Sequence, residues 1–278
     1  GASIYQLLKE ENVSLTCGVP TVYQMLIAEM ESKNLTLPTL ERVLIGGSAM
    51  PTAMLNFFEA KHGIHAQHAW GMTEMSPTGV INSMRPGKEG INIESEIPYK
   101  MKQGREMFGV ELDIFDENGK KLPRDGIAKG ALKARGSWVL AEYYNKNKNE
   151  QDPDGWFDTG DVATITPDGY MEIVDRTKDM IKSGGEWISS IELENIAQLH
   201  PGVAQAAAIG VKDEKWGERP IIIAVKKPDQ EVSKEEVLQL FTDKVPKWSV
   251  PQDVRFIDAL PLGGTGKIMK NVLRDQHK

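Results

Sequence analysis

The chain has 278 residues, of which 40% are hydrophobic and 26% charged, the composition of an ordinary globular protein with room for two folding units. Its net charge of −7, with Lys and Arg dispersed along the chain, argues against a nucleic-acid-binding surface. A single cysteine, Cys17, excludes an internal disulfide and favours a reducing, cytoplasmic setting. The apolar runs, such as residues 221–225, are far too short for a transmembrane segment.

Residues 1–88 alternate between helix-like and strand-like stretches. Residues 13–17 are predicted to form a strand with its cysteine at a buried end, and residues 42–45 a second buried strand. The helix between them has its apolar positions on one face, namely Tyr23, Leu26, Ile27 and Met30. Pro51 suits the first turn of a further helix that runs to about His62. Alternation of this kind predicts a parallel α/β layer.

Residues 89–177 change in character, because strand patterns replace the helical ones. Residues 110–115 alternate between apolar and polar side chains with a period of two, and the turn-forming sequence 116–119 follows. Further strands are predicted over residues 130–134 and 162–165. The pattern predicts an antiparallel, barrel-like subdomain.

Residues 178–278 are predicted to form a small α+β domain that follows a large domain of residues 1–177. Ser189 and Ser233 each stand three residues before a glutamate, and this capping-box pattern predicts a helix after each serine. Three strands accompany the helices, over residues 203–209, 221–225 and 254–257. A unit of this size is large enough to fold alone.

Charged side chains cluster between residues 155 and 185. Asp161 can accept hydrogen bonds from both hydroxyls of a ribose, whereas Arg176, Lys178 and Lys182 suit phosphate or carboxylate oxygens. For any one of these residues alone, a hairpin with a solvated charged face is the better interpretation.

Two short segments of the first part carry candidate ligand-binding groups. Gly46, Gly47 and Ser48 follow a strand at the carboxyl edge of the predicted sheet, where ligands bind in open α/β sheets, although Gly-Gly alone is more often a turn. In the segment 70–74, Trp70 can stack on a base, Thr73 can bond a phosphate and Glu74 can hold Mg²⁺; the alternative is a buried Trp beside a surface Glu.

The segment Gly263-Gly-Thr-Gly-Lys267 resembles a phosphate-binding loop only superficially. A Walker A loop has Gly where Pro261 stands and Ser or Thr where Ile268 stands, so the pattern fails twice. What remains is a Gly-rich loop with one lysine, whose compact charge can stabilise an attacking carboxylate and a transferring phosphoryl group. Taken alone, Lys267 is better interpreted as a solvated lysine.

Taken in this order, the segments at 70–74, 155–185 and 263–267 resemble the ANL superfamily of adenylate-forming enzymes over almost the whole chain. Residues 181–191 and Trp216-Gly-Glu218 are most similar to its AMP-forming fatty-acyl-CoA synthetase branch. The phosphate loop ending in Pro-Lys-Gly, which the superfamily carries before these segments, is absent. The resemblance therefore implies the C-terminal half of such an enzyme: part of its large domain, then its small mobile domain.

The resemblance also implies roles, which are expectations here. The reaction joins ATP and a carboxylic acid into an acyl-adenylate and then transfers the acyl group to CoA; ATP, Mg²⁺, CoA and a fatty acid are the implied ligands, and a homodimer is possible. Lys267, Thr73 and Lys182 are expected to be catalytic, Glu74 to bind Mg²⁺, and Lys178 to be the hinge. The cofactor-binding residues are expected to be Gly46, Gly47, Ser48, Trp70, Gly71, Met72, Thr73, Asp161, Arg176, Gly184, Gly185 and Lys267.

Three alternatives stay open. A peptide-synthetase adenylation domain loads a carrier protein instead of CoA, and a luciferase-like oxygenase emits light from the adenylate. A non-catalytic nucleotide-binding fragment is the third, because the phosphate loop is absent from this sequence.

Overall fold

The computed structural model describes residues 1–83, 93–146, 148–264 and 267–277. The chain divides into two compact units: Gly1–Thr159 with Ala163–Ile173, and Gly160–Val162 with Val174–Lys278. Each unit has a hydrophobic core of its own. The large and small domains expected from the sequence, with their boundary between residues 177 and 178, stay a prediction. The expected division at residues 88 and 89 lies outside the described residues.

The first unit begins with a mixed five-stranded sheet in the order β1-β2-β3-β4-β5. The first three strands are parallel, whereas β4 and β5 join antiparallel. This confirms the predicted parallel α/β layer and places the carboxyl ends of β2 and β3 at one edge. The strands are β1 Leu15–Gly18, β2 Arg42–Ile45, β3 His65–Gly71, β4 Thr78–Ile81 and β5 Arg105–Glu106.

Four helices pack around this sheet: α1 Ala2–Glu10, α2 Pro20–Ser32, α3 Thr52–Asn56 and α4 Ile93–Lys100. The predicted face of α2 is confirmed, because Tyr23, Leu26 and Met30 are buried and Ile27 packs partly against the same core. The helix expected from Pro51 to His62 differs in form. Pro51 is its N-cap, and after α3 the chain tightens into a π-helical turn over Phe57–Lys61. The turn buries two adjacent aromatic side chains, Phe57 and Phe58, which a regular α-helix places about 100° apart.

Cys17 is exposed, so the expectation of a buried cysteine was wrong. The strand is Leu15–Gly18, so it begins two residues and ends one residue later than predicted, and its side chains alternate between exposed and half-buried. Strand β1 is the edge of the sheet in the part of the chain that is described, and its one neighbour there is β2. An edge strand has one uncovered side, which the apolar character of the residues around Cys17 does not reveal.

A four-stranded sheet in the order β6-β7-β8-β9 follows, formed by β6 Val110–Phe115, β7 Gly130–Gly136, β8 Phe157–Ile165 and β9 Met171–Arg176. The pair β6–β7 is antiparallel along its whole length, as predicted. Strand β8 is longer than expected and contains Asp161 near its middle. Polar residues at its centre weaken the alternating pattern, which explains why only residues 162–165 were recognised.

The second unit is an α+β fold in which the sheet β11-β10-β13-β12 also binds β14, parallel to β13. Its strands are β10 Ile181–Ser183, β11 Glu186–Ile188, β12 Val203–Asp213, β13 Gly217–Lys226 and β14 Asp253–Phe256, and its helices α5 Ser190–Ala197, α6 Lys234–Gln239 and α7 Lys270–Gln276. The buried faces of β12 and β13 are almost entirely Ala and Ile. In the described parts of both units, no helix is long and apolar enough to cross a membrane.

Both predicted N-caps are present, but only one is a reciprocal capping box. The Oγ of Ser189 accepts a hydrogen bond from the amide of Glu192 at the start of α5. At α6, the Oγ of Ser233 accepts from the amide of Glu236, and the carboxylate of Glu236 accepts from the amide of Ser233 at 2.8 Å. The second helix therefore has two of its unpaired N-terminal donors satisfied locally.

Replacing Ser233 with alanine is expected to lower the free energy of unfolding of this chain by about 1 kcal/mol, because the amide of Glu236 loses its acceptor. Urea denaturation checks this through a lower midpoint at an unchanged m value. Ser233→Gly is the matched control, since glycine at an N-cap costs only a few tenths of a kcal/mol. A Ser233→Ala midpoint equal to that of the wild type would contradict the assigned cap.

Candidate active site

The loop of residues 46–48 leaves the carboxyl end of β2, as the sequence predicts. Gly47 is exposed and has a φ of 84°, in the left-handed region that favours glycine. The amide of Gly46 is not available to a ligand, because it donates to the carbonyl oxygen of Gly18 at 3.1 Å. Gly47 and Ser48 are thus the exposed part of this loop.

His68 lies beneath the same loop. Its Nε2 is 3.4 Å from the carbonyl oxygen of Ser48 and its Nδ1 is 3.0 Å from that of Met101. The side chain is 1% exposed, and this burial lowers the pKa of His68 even though both carbonyl groups favour the charged form. In the neutral form that burial favours, His68 has a single ring N–H, so it donates to only one of the two carbonyl oxygens, that of Ser48 or that of Met101.

The segment of residues 70–74 forms the end of β3 and a 3₁₀ turn over Thr73–Met75. Trp70 and Met72 are half-buried and pack against the core of the β-rich part of this unit. Thr73 is exposed, so its hydroxyl is accessible for the predicted phosphate contact. The structure therefore gives Trp70 a packing role, and its stacking on a base stays a prediction.

Glu74 is half-buried and bonded to a residue that the sequence did not single out. The phenol of Tyr143 donates to Oε1 of Glu74 at 2.8 Å. This bond to the carboxylate, with a smaller contribution from desolvation, raises the pKa of Tyr143 to about 12. Carboxylate oxygens are ligands that Mg²⁺ prefers, so Glu74 fits the predicted metal, with the tyrosine orienting its side chain.

Substituting Glu74 with glutamine is expected to return the pKa of Tyr143 from about 12 towards its ordinary value of 10.0, because the amide carries no charge. The neutral phenol stabilises the folded state fully below pH 10, and this contribution is lost as the pH rises through 12. Phenolate absorbance, titrated against a Tyr143→Phe reference, measures the shift. Glu150→Gln is the matched control, since Glu150 acts on Tyr143 through charge alone and is expected to produce a smaller change. Equal shifts in the two variants would contradict the assigned hydrogen bond.

The second unit brings together four predicted residues. Asp161 is buried, and its Oδ1 is 3.6 Å from Nε of Arg176. Partial desolvation and the charges of Arg176 and Lys178 lower the pKa of Lys267, while the charge of Asp161 acts in the opposite direction. A lysine with an anion and two cations as its neighbours is well placed for a ligand that carries negative charge.

The predicted hinge lies in a tight turn. The carbonyl oxygen of Arg176 accepts hydrogen bonds from the amides of Asp179 and Met180, both at 2.9 Å. Lys178 is exposed in the middle of this turn, and the amide of Thr177 donates to the carbonyl oxygen of Gly160. The backbone around Lys178 therefore has a defined conformation here; its role as a hinge stays a prediction.

Lys182 and the two glycines lie on the β10–β11 hairpin. Lys182 is directly opposite Trp187 in the register, and its Nζ is 5.0 Å from the centre of that ring. Gly184 and Gly185 form the turn with φ values of 61° and 90°. A Cβ on Gly184 would lie 2.8 Å from the ring of Trp216, so this side of the turn is already filled.

The predicted residues form two groups, one in each unit. The first unit carries the loop of residues 46–48 and the segment 70–74, whereas Asp161, Arg176, Lys178, the β10–β11 hairpin and Lys267 belong to the second. Of the Gly-rich segment 263–267, Thr265 and Gly266 lie outside the described residues. The roles of all these residues stay predictions.

Comparison with known proteins covers the whole chain. The family model of the AMP-binding enzyme matches residues 1–144, and that of the AMP-binding enzyme C-terminal domain matches residues 192–267. Over its whole length the chain is 49% identical to the 3-methylmercaptopropionyl-CoA ligase of Ruegeria lacuscaerulensis and 46% identical to the medium-chain-fatty-acid–CoA ligase of Ectopseudomonas oleovorans, covering 52% and 51% of them. The crystal structure of ATP-bound MatB from Rhodopseudomonas palustris matches the whole chain with a TM-score of 0.86 at 28% identity, and 53% of that chain is covered. The chain thus spans about half the length of the curated relatives it matches.

Proposed function

Because this chain belongs to the AMP-binding enzyme family of the ANL superfamily, we propose that it is the C-terminal half of an AMP-forming acyl-CoA synthetase. In the proposed reaction a carboxylate attacks the α-phosphate of ATP, giving an acyl-adenylate and pyrophosphate, and the thiolate of CoA then displaces AMP. One observation carries the proposal: the chain aligns from end to end with CoA ligases at 46% and 49% identity. Since it lacks the phosphate loop, we propose that it does not run the complete reaction alone.

The first unit supplies nucleotide-binding residues in this proposal. The exposed Gly47 and Ser48 receive the adenine, and the hydroxyl of Thr73 bonds a phosphate. Glu74 holds Mg²⁺, which would add positive charge beside the phosphates of ATP. The hydrogen bond from Tyr143 supports this assignment, because it orients the carboxylate without neutralising it.

The second unit supplies the residues of both half-reactions. Asp161 binds the ribose, and Lys267, close to Asp161 and Arg176, stabilises the charge that develops at the α-phosphate. For the second half-reaction the chain turns at Lys178, and the hairpin with Lys182, Gly184 and Gly185 guides the pantetheine arm of CoA. A change of backbone conformation at one residue is the ordinary form of a hinge.

We propose a medium-chain fatty acid as the substrate, on the strength of residues 181–191 and the similarity to the medium-chain ligase of E. oleovorans. A short thioether acid is the second candidate, since the identity to the 3-methylmercaptopropionyl-CoA ligase is slightly higher, at 49%. The two candidates differ in how much apolar surface the acyl pocket covers. Each buried CH₂ is worth about 0.8 kcal/mol, so one assay over chain length separates them.

The experiment is AMP release by the full-length enzyme that contains this chain, given ATP, Mg²⁺ and CoA. The acids tested run from acetate to oleate and include 3-methylmercaptopropionate, aryl acids and amino acids. CoA-dependent release with a fatty acid is the expected result, and the best acid identifies the chain length. Release without a CoA requirement, or with amino acids alone, would favour a carrier-loading adenylation domain. No release with any acid would favour a non-catalytic nucleotide-binding protein.

We also propose that the enzyme works in the cytoplasm and that it can form a homodimer. One cysteine in 278 residues suits a reducing compartment, where disulfides do not persist. Cell fractionation and the molecular mass of the purified protein in solution test the two statements separately.

A further inference from the structure

Helix α7 begins at Lys270, soon after Lys267, and carries two basic residues on one face. Lys270 and Arg274 are four positions apart, so their side chains lie one above the other. Each makes an ion pair with a largely buried carboxylate: Lys270 with Glu194 at 2.7 Å, and Arg274 with Asp179. The side chain of Lys270 is only 10% exposed. Such a buried lysine requires good partners, because an uncompensated buried charge is strongly destabilising.

Lys270 is also the first donor in a chain of hydrogen bonds. Its Nζ also donates to Oγ of Ser190 at 2.5 Å, and that hydroxyl donates to Oδ2 of Asp175 at 2.6 Å. Asp175 is 1% exposed, and the same oxygen accepts from the amide of Ser190. Burial raises the pKa of Glu194, although Lys270 opposes this shift. These four residues form a buried polar group at the start of α5, which we call the α5 cluster: Asp175, Ser190, Glu194 and Lys270.

The two carboxylates that α7 reaches, Asp175 through Ser190 and Asp179 directly, stand on either side of the segment 176–178. That segment contains Arg176 and Lys178, whose charges lower the pKa of Lys267. The apolar anchor of α7, Leu273, is fully buried, but apolar contacts are not directional. Charged hydrogen bonds are directional, so those of Lys270 and Arg274 fix the position of α7 beside Glu194 and Asp179.

The backbone around Lys267 is also fixed by hydrogen bonds to residues 261–263. Its carbonyl oxygen accepts from the amide of Gly263 at 2.8 Å, and the amide of Met269 donates to the carbonyl oxygen of Pro261 at 2.8 Å. With α7 fixed at Lys270, little freedom is left to the residues that join Lys267 to the helix. The exposed Lys267 side chain therefore starts from a defined backbone position.

We propose that Lys270 and Arg274 are positioning residues for Lys267, which they hold beside the segment 176–178 through Asp175 and Asp179. The catalytic consequence rests on the function proposed above, whereas the positioning itself does not. Neither residue touches a reacting atom in this scheme. Both act by fixing the helix that follows Lys267.

The first test uses this chain and needs no activity. The pKa of Lys267 is measured by competitive labelling of amines across a range of pH, with the labelled peptide quantified by mass spectrometry. Lys270→Met alone leaves Glu194 without its partner, so it is combined with Glu194→Gln, and Arg274→Gln is the second variant. In both, the pKa of Lys267 is expected to rise towards 10.5, because Lys267 becomes more fully solvated and leaves the field of Arg176 and Lys178.

The matched control is Lys234→Met, which removes a lysine paired with Asp253 at 2.9 Å on α6 of the same unit. It is expected to leave the pKa of Lys267 unchanged. Lys270→Arg keeps the charge and is expected to retain most of the lowered value. A pKa of Lys267 that is unchanged in the folded Lys270→Met/Glu194→Gln and Arg274→Gln variants overturns the proposal.

The second test measures the two half-reactions in the full-length enzyme. The Lys270→Met/Glu194→Gln variant is expected to lose about 10²-fold in kcat for adenylate formation, the scale of a 1 Å misplacement, and to retain thioester formation from preformed acyl-adenylate. If the wild type forms adenylate and the variant does so at the same rate, the positioning role is refuted while the proposed function stands. A wild type that forms no adenylate from any acid refutes the proposed function, and the labelling result then decides the positioning alone.

Discussion

Replacing Lys267 with alanine in the full-length enzyme is expected to lower the rate of adenylate formation about 10²- to 10³-fold, the usual loss for one preorganised electrostatic donor. The reason is local: Lys267 is the cation whose neighbours include both Asp161, the proposed ribose ligand, and Arg176. Alanine removes the charge from the point where, in the proposed reaction, negative charge develops. Thioester formation from preformed acyl-adenylate is expected to be largely retained.

Single-turnover kinetics with each half-reaction isolated measure this separation. Lys234→Ala, which removes an exposed lysine of the same unit, is the control for a general effect of lost charge. Equal losses in both half-reactions would refute the assigned role of Lys267. The pH profile gives a further check: since the pKa of Lys267 is lowered, adenylation is expected to decline at a lower pH than it would with an ordinary lysine.

The parts of the fold that follow a simple repeat were predictable from the sequence. The face of α2 and the antiparallel pair β6–β7 each depend on one periodicity, and both agree with the structure. The N-cap serines were also found, because a cap is a property of four consecutive residues. A repeat does not show which helix or strand packs against the element that carries it. For this reason the exposure of Cys17 and the π-helical turn after α3 were missed.

The residues of the candidate site were likewise predictable only where their type and order in the sequence carry the signal. Asp161, Arg176 and Lys267 were suggested by their types and order, and the structure brings them together in one unit. Tyr143 was missed because its partner, Glu74, is far away in the sequence. The α5 cluster was missed for the same reason, since Lys270 meets Ser190 and Glu194 only through the fold. Chemistry that depends on such contacts has no local signal in the sequence.

A proline at position 178 is expected to stop the half-reaction that depends on the backbone turn described above. In that turn the carbonyl oxygen of Arg176 accepts from both Asp179 and Met180, which requires Thr177 and Lys178 to be near-helical. Proline disfavours the helical region for the residue before it, so Lys178→Pro opens the turn at Thr177. Lys267 then loses its neighbours Arg176 and Asp161, and adenylate formation is expected to fall by at least about 10²-fold.

The other half-reaction distinguishes a hinge from a general loss of structure. Thioester formation from preformed acyl-adenylate requires a different backbone conformation at residue 178 if Lys178 is the hinge, and it is expected to persist in Lys178→Pro. Lys178→Ala is the matched control, since it removes the same charge while leaving the turn intact. Labelling of Lys267 in the two variants separates the loss of charge from the change in geometry. Both variants lack the charge of Lys178, so a pKa of Lys267 that is higher in the proline variant than in the alanine variant reports the open turn. An unchanged overall rate in Lys178→Pro would mean that the chain turns elsewhere between the two steps.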